Sequence, residues 1–192
     1  MIVQPSFRHS ELAVLSEVER DSEPRYEPTT VTKTPTIRAA NDSDLPALVK
    51  SLCPELEQAQ LKNRFTEQVA GLRLILVMEV DDELVGTVSI DPNADPDGST
   101  RRLFALDVGE RFRRQGFAIE LINAVEEHVL ADGHTTVRLD VAIDNDAAIK
   151  VYEKLGYKPV GQPTRLQWSV QVDGGSSEII VDTCQRMVKR LG

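Results

Sequence analysis

Cysteine is nearly absent from this chain of 192 residues, which has only Cys53 and Cys184, far apart and in no C-x-x-C arrangement. A buried free thiol is therefore expected at each, in keeping with a reducing cytoplasm. Histidine is scarce as well. His128 and His134 flank a helix end with no third ligand nearby, which predicts surface histidines and no metal. No long apolar run occurs, so no transmembrane helix is predicted and no membrane partner. The first ten residues carry Arg8 and His9 and no apolar h-region, unlike a secretory signal. Two common phosphate motifs are missing: there is no Gly-Lys-Ser/Thr, and G-x-G-x-x-G is represented by one glycine of three. Gly174-Gly175-Ser176-Ser177 reads as a turn and not as a nucleophile elbow. Positive charge is in deficit, 22 Lys and Arg against 31 Asp and Glu for a net charge of −9, which argues against nucleic acid as a partner.

What the chain does have is one basic cluster in an acidic background. An alternating apolar run, Leu103-Phe104-Ala105-Leu106-Asp107-Val108, stops at Gly109. Arg111, Arg113 and Arg114 follow, then Gly116, then a helix with Phe117, Leu121, Val125 and Val129 at four-residue spacing. A strand thus delivers positive charge and free backbone N–H groups to a helix N-terminus. That combination suits a phosphate or pyrophosphate. Glu120, Asn123, Glu126 and Glu127 are expected on the helix's solvent side, and Asp132-Gly133 is expected to end it.

A second segment follows. Val137, Leu139, Val141 and Ile143 alternate with polar or small residues, which reads as a strand. Asn145 to Tyr157 then reads as a helix whose apolar face carries Ala148, Val151, Tyr152 and Leu155, stopped by Gly156.

The chain divides into an N-terminal extension, 1–34, and a folded domain, 35–192. The extension is rich in proline, threonine and charge. Leu12, Val14, Leu15 and Val18 could form a short helix in it, either in a tail or in an arm that packs on the domain or a partner subunit. In the domain, Thr36 to Ala40 reads as a strand and Asn41 to Asp44 as an N-cap for a helix through Leu52. A second helix carries Leu61, Phe65 and Val69. Leu72 to Val80 and Leu84 to Ile90 form a hairpin, and Asp91 to Gly98 a loop. A last hairpin pairs Leu166 to Val172 with Glu178 to Val188 around Asp173-Gly174-Gly175. The order is β-α-α-β-β-β-α-β-α-β-β. The fold class is α/β, a mixed, mostly antiparallel central sheet flanked by helices.

These residues resemble the GNAT superfamily of acyl-CoA-dependent N-acetyltransferases. Its Arg/Gln-x-x-Gly-x-Gly/Ala loop is matched by Arg113, Arg114, Gln115, Gly116, Phe117 and Ala118. Its Asn-x-x-Ala…Tyr-x-x-x-Gly-Phe/Tyr helix is matched by Asn145, Ala148, Tyr152, Gly156 and Tyr157, in the family's order and spacing. The resemblance runs from Thr36 to Arg190.

It implies acetyl-CoA as cosubstrate and a primary amine of a small molecule or protein as acceptor. It implies that the Arg113–Ala118 backbone holds the pyrophosphate. It also implies that the strand through Leu106, Asp107 and Val108 splays from its neighbour, pairs with the pantetheine and aims an amide at the thioester oxygen. Asn145 would either bond the pantetheine or cap its own helix. Tyr152 would be the general acid for the departing thiolate, or else only a core aromatic. Many family members carry a glutamate base near the middle of the strand before the loop. Arg102 stands there in this chain, which leaves Asp107, Glu79 or a water chain. A non-catalytic acyl-CoA sensor is the alternative reading. Trp168 would line the acceptor pocket or simply pack its strand. Acidic residues at Asp81, Asp82 and Glu83, and at Asp91, Asp95 and Asp97, lead to the expectation of a cationic acceptor. A homodimer stays open.

Overall fold

The computed structural model describes residues 35–52, 55–93, 95–171 and 176–192. The N-terminal extension, Cys53 and the Asp173-Gly174-Gly175 turn fall outside these residues. The chain runs through β1 (Thr36–Ala39), α1 (Leu45–Leu52), α2 (Glu55–Val69), β2 (Leu74–Val80), β3 (Glu83–Ile90), β4 (Thr100–Val108) and α3 (Phe117–Ala131). It continues through β5 (Thr136–Ala142), α4 (Asp146–Lys154), β6 (Lys158–Gln171) and β7 (Ser177–Arg190). This is the element order expected from the sequence. The strands form one sheet in the order β1-β2-β3-β4-β5-β7-β6. Every neighbouring pair is antiparallel except β4 and β5.

Helices cover both faces. The larger core lies under α3 and α4: Leu121, Ile122, Val125 and Val129 of α3 pack with Leu103, Leu106 and Val108 of β4 and with Val137, Leu139 and Val141 of β5. The four-residue repeat of α3 and the two-residue repeat of β5 bring these positions together, and in β4 a register shift between Phe104 and Asp107 keeps Leu103 on the same face as Leu106 and Val108. A smaller core joins Leu48 of α1 and Leu61 and Phe65 of α2 to Ile75, Val77 and Leu84 on the other face.

Two details differ from the sequence reading. Glu126 is buried, because Lys189 of β7 reaches across to bond its carboxylate at 2.6 Å. The last hairpin is also longer than the alternation suggests. Lys158 to Val160 already pair with β7, and a register slip between Val160 and Thr164 interrupts the alternation there.

β3 packs closely on β4 and α3. A Cβ at Gly86 would lie 2.8 Å from the Asp107 carbonyl oxygen and 3.0 Å from Leu121 Cδ1. Gly86→Ala is expected to destabilise the fold by about 1–3 kcal/mol through overpacking. Chemical denaturation reads this directly, and an unchanged midpoint would contradict the close approach.

Candidate active site

β4 pairs with β5 only from Thr100 to Arg102, against Thr136 to Arg138. Beyond that point the two strands part, with β5 following β7 to Ala142 and β4 following β3 to Val108. The cause lies within β4. Thr87 opposes Asp107 and Ser89 opposes Phe104, so Ala105 and Leu106 together face Val88. This is a β-bulge, and Ala105 adopts φ 51° in it. A non-glycine residue in that conformation costs roughly 1–2 kcal/mol, which the surrounding buried strand must offset. A bulge bends its strand and raises the local twist, turning β4 away from β5.

The split has a defined edge. Gly109 N–H donates to the Val85 carbonyl at 2.9 Å, on the β3 side. Alternation then places the amides of Val108 and Leu106 on the opposite edge, the one β5 has left. Of the three residues expected to face the pantetheine, Leu106 and Val108 present backbone to the split. Asp107 turns its backbone toward β3.

The β4–α3 connection opens at the same end. A short 3-10 turn, Glu110–Phe112, leads to Arg114 at φ 64° and Gly116 at φ 90°, and α3 begins at Phe117. The Ile119 amide finds the Gly116 carbonyl at 2.9 Å. The amides of Gly116, Phe117 and Ala118 therefore point out of the helix end. A Cβ on Gly116 would meet nothing within 4 Å, so the space beside these amides is open. Amides, helix dipole and open space together fit a pyrophosphate.

The arginine side chains contribute less directly than their sequence position suggests. Arg111 is ion-paired with Glu83 and lies over the Phe112 ring at 4.7 Å. Arg113 Nε turns back to the Val108 carbonyl at 3.3 Å, and the Gln115 side-chain amide donates to the Arg111 carbonyl at 3.3 Å. Arg114 is exposed.

Tyr152 and Asn145 come from the β5–α4 segment. Tyr152 is only 3 % exposed and belongs to the same core as Leu106, Val108 and Leu121. Its ring meets Tyr157 edge-on, with centroids 5.7 Å apart. Burial pushes the Tyr152 phenol above its ordinary pKa, so it holds its proton at neutral pH. Asn145 Oδ1 accepts from the Ala148 amide at 3.0 Å, the N-cap geometry.

The opposite face of the split is lined by charge, a feature the sequence reading did not anticipate. Arg64 of α2 pairs with Asp107 at 2.5 Å. Arg73, just before β2, bonds Glu67 at 2.8 Å and Ser89 at 3.0 Å. Asp140 of β5 lies 2.9 Å from Arg186, 3.4 Å from Arg138 and 3.9 Å from Arg102. The strand alternation that reads β5 as half-buried also puts Arg138 and Asp140 on this face. Only the register with β4 and β7 shows that arginines from three strands converge there.

The candidate bases fare poorly. Asp107 is engaged by Arg64. Glu79 lies on β2, with β3 between it and β4, and is 3.5 Å from Arg38. Among the described residues no group of three or more His, Cys, Asp or Glu is placed to hold a metal ion, and no helix is long and apolar enough to cross a membrane.

The family model for Acetyltransferase (GNAT) family matches residues 38–157, which contain the bulged strand, the split, the helix end and Tyr152. The chain belongs to the GNAT acetyltransferase family. Solved structures share this GNAT fold at low identity. A ribosomal-protein-alanine N-acetyltransferase from Brucella melitensis is 22% identical with TM-score 0.58, covering 81% of this chain and 99% of its own. A spermidine N-acetyltransferase from Vibrio cholerae is 18% identical with TM-score 0.59, covering 81% and 93%. A protein from Salmonella typhimurium, solved with its cofactor acetyl-CoA, is 17% identical with TM-score 0.58, covering 83% and 95%. In this GNAT chain the α3 terminus follows the bulged strand, and Tyr152 of α4 packs in the same core as Leu106 and Val108.

Proposed function

We propose that the protein transfers an acetyl group from acetyl-CoA to a primary amine of a small molecule or protein by direct attack. The observation that carries the reading is the open β4 edge ending at an amide-lined helix terminus. Bound acetyl-CoA supplies an activated thioester. The amides of Gly116, Phe117 and Ala118 hold its pyrophosphate, and the Leu106 and Val108 backbone aligns the pantetheine. One of those edge amides faces the thioester oxygen and stabilises the negative charge that develops on it. Asn145 caps α4 and so fixes the start of the helix that carries Tyr152.

As the amine nitrogen bonds to the carbonyl carbon, the C–S bond breaks. Tyr152 gives its phenolic proton to the departing sulfur. The excess proton on nitrogen leaves to water, since the one carboxylate on this stretch of β4, Asp107, is held by Arg64. A proton taken back from water then returns the tyrosinate of Tyr152 to its neutral form, so that no net proton is gained or lost. Cys184 is a buried free thiol, consistent with the cytoplasmic setting that is part of this reading.

The acidic loops give little support to a cationic acceptor. The Asp91–Asp97 loop sits at the paired, closed end of β4, where Asp95 binds Arg138 and Asp97 accepts from Ser99 and Thr100 amides at 2.9 Å. At the open end, Glu83 pairs with Arg111.

A sensor that binds acyl-CoA without turnover is the competing reading, favoured by Arg102 where a glutamate base is common. A screen of amine acceptors, reading free thiol release from acetyl-CoA, separates the two. Amine-dependent thiol release is expected. Tight acetyl-CoA binding with no release across amino acids, polyamines, aminoglycosides and peptides would support the sensor.

A further inference from the structure

Among the described residues, one strip of the sheet on the α3 side lies beyond any helix. α3 packs mainly on β3, β4 and β5, and β2 and β1 continue the sheet past it to the edge. Ile37 and Ala39 of β1 stand opposite Met78 and Leu76 of β2, so they share the α3 face with Leu74 and Leu76. A groove of about 710 Å³ runs there. This apolar strip is its floor, and one flank of α3, from Glu120 to Ala131, is its wall. The lining positions of α3 recur at 120, 123, 124, 127 and 131, the spacing of a single helix face. Over that stretch the helix rises roughly 16 Å. Ile37 and Leu74 are only half-buried, and no described element closes the outer side, where β1 ends the sheet.

The chain itself enters at this groove. Pro35, the first described residue, is one of its lining residues, and residues 1–34 precede it. The densest apolar stretch of that extension is Leu12-Ala13-Val14-Leu15, followed by Val18. At helical spacing Leu12, Val14, Leu15 and Val18 gather on one side, and Ser10, Ser16, Glu17 and Arg20 on the other. A helix from Ser10 to Glu19 would be roughly 15 Å long, the length of the wall. A helix that short is not stable alone in water and forms where its apolar side is buried. The tether, residues 19–34, spans roughly 20 Å as a flexible chain, enough to lay the stretch back along the groove. Such a tether holds the segment at an effective concentration on the order of millimolar, so a modest apolar contact suffices.

We propose that residues 10–19 dock as a helix in the groove of their own chain, with Leu12, Val14, Leu15 and Val18 against the β1–β2 floor and the flank of α3. The small side chains of Ala39, Ala124 and Ala131 leave depth there for branched ones. Ile37 and Leu74 supply apolar area that water otherwise reaches. The docked helix lies beside α3, extends the helical layer over β2 and β1, and shields the edge strand. The extension is then an arm of the domain, and the folded unit begins near Ser10.

Hydrogen exchange on the full chain tests this, with variants on each side of the contact. The amides of Val14 to Glu19 are the ones such a helix bonds internally. They are expected to exchange at least about tenfold more slowly than an unstructured chain. Ala124→Arg puts a long charged side chain into the groove and is expected to remove that protection. Ala131→Arg, at the exposed end of the same wall, does the same and keeps the test decisive should the first variant fail to fold. Leu15→Asp is expected to remove the protection from the other side and to lower Tm by about 2–8 °C. Sedimentation is expected to show the same oligomeric state with and without Leu15→Asp. Unprotected amides from Val14 to Glu19, or protection that survives the arginine variants, would overturn the proposal. A dimer that Leu15→Asp dissociates would overturn it too, by seating the segment on a second copy.

Discussion

Replacing Tyr152 with phenylalanine is expected to lower kcat by roughly 10²- to 10⁴-fold while acetyl-CoA affinity stays nearly unchanged. The substitution keeps the ring, its edge contact with Tyr157 and its place in the core. It removes only the hydroxyl. A thiolate leaving group without a proton donor must depart as an anion into a buried site, which is where the barrier rises. The direction of the Tyr152 pKa sharpens the expectation. Burial holds it above the ordinary phenol value, so the donor is protonated across the usual assay range. The ratio of wild-type to variant kcat is then expected to stay flat between about pH 7 and 9. Steady-state kinetics at three pH values checks both statements. Wild-type kcat in a folded variant would make Tyr152 a packing residue only.

Gly116→Glu is expected to weaken acetyl-CoA binding more than about 100-fold. Nothing in the protein lies within 4 Å of a Cβ there, so the side chain enters the open space beside the α3 amides. A carboxylate in that space repels a pyrophosphate and competes for the same N–H groups. Gly116 also sits at φ 90°, which strains any side chain. Gly116→Asn separates the two effects, because asparagine tolerates left-handed backbone and adds no charge. The asparagine variant is expected to bind within several-fold of wild type. Equal losses in both variants would trace the effect to the backbone and not to phosphate.

Much of this site was legible in the sequence because it is built from local signals. The alternation of Leu103 to Val108, the glycine at position 116 and the repeat of α3 each lie within one element, and their order along the chain gives the strand–loop–helix junction. Asn145 was readable as a cap for the same reason. The β4–β5 split was expected from the resemblance alone. Its immediate cause, Ala105 in a bulge opposite Val88, depends on pairing with β3, and the unbroken apolar run from Leu103 to Leu106 hides the change of spacing it makes. The arginine face was hidden for a related reason. Arg64, Arg73, Arg102, Arg138 and Arg186 belong to separate segments, and each alone reads as an ordinary solvated charge. Register and the placement of α2 bring them to one face of the sheet. The cationic-acceptor expectation came from counting acidic loops, without knowing that Asp95 and Asp97 are engaged at the closed end of the split.

Hydrogen exchange with and without acetyl-CoA tests the central claim, that the opened β4 edge and the α3 terminus form one acyl-CoA site. Saturating acetyl-CoA is expected to slow exchange at Leu106, Val108 and the amides of Gly116, Phe117 and Ala118, while the Asp95–Ser99 loop at the closed end is unaffected. Protection confined to other elements, or none at these amides while calorimetry reports binding, would contradict it.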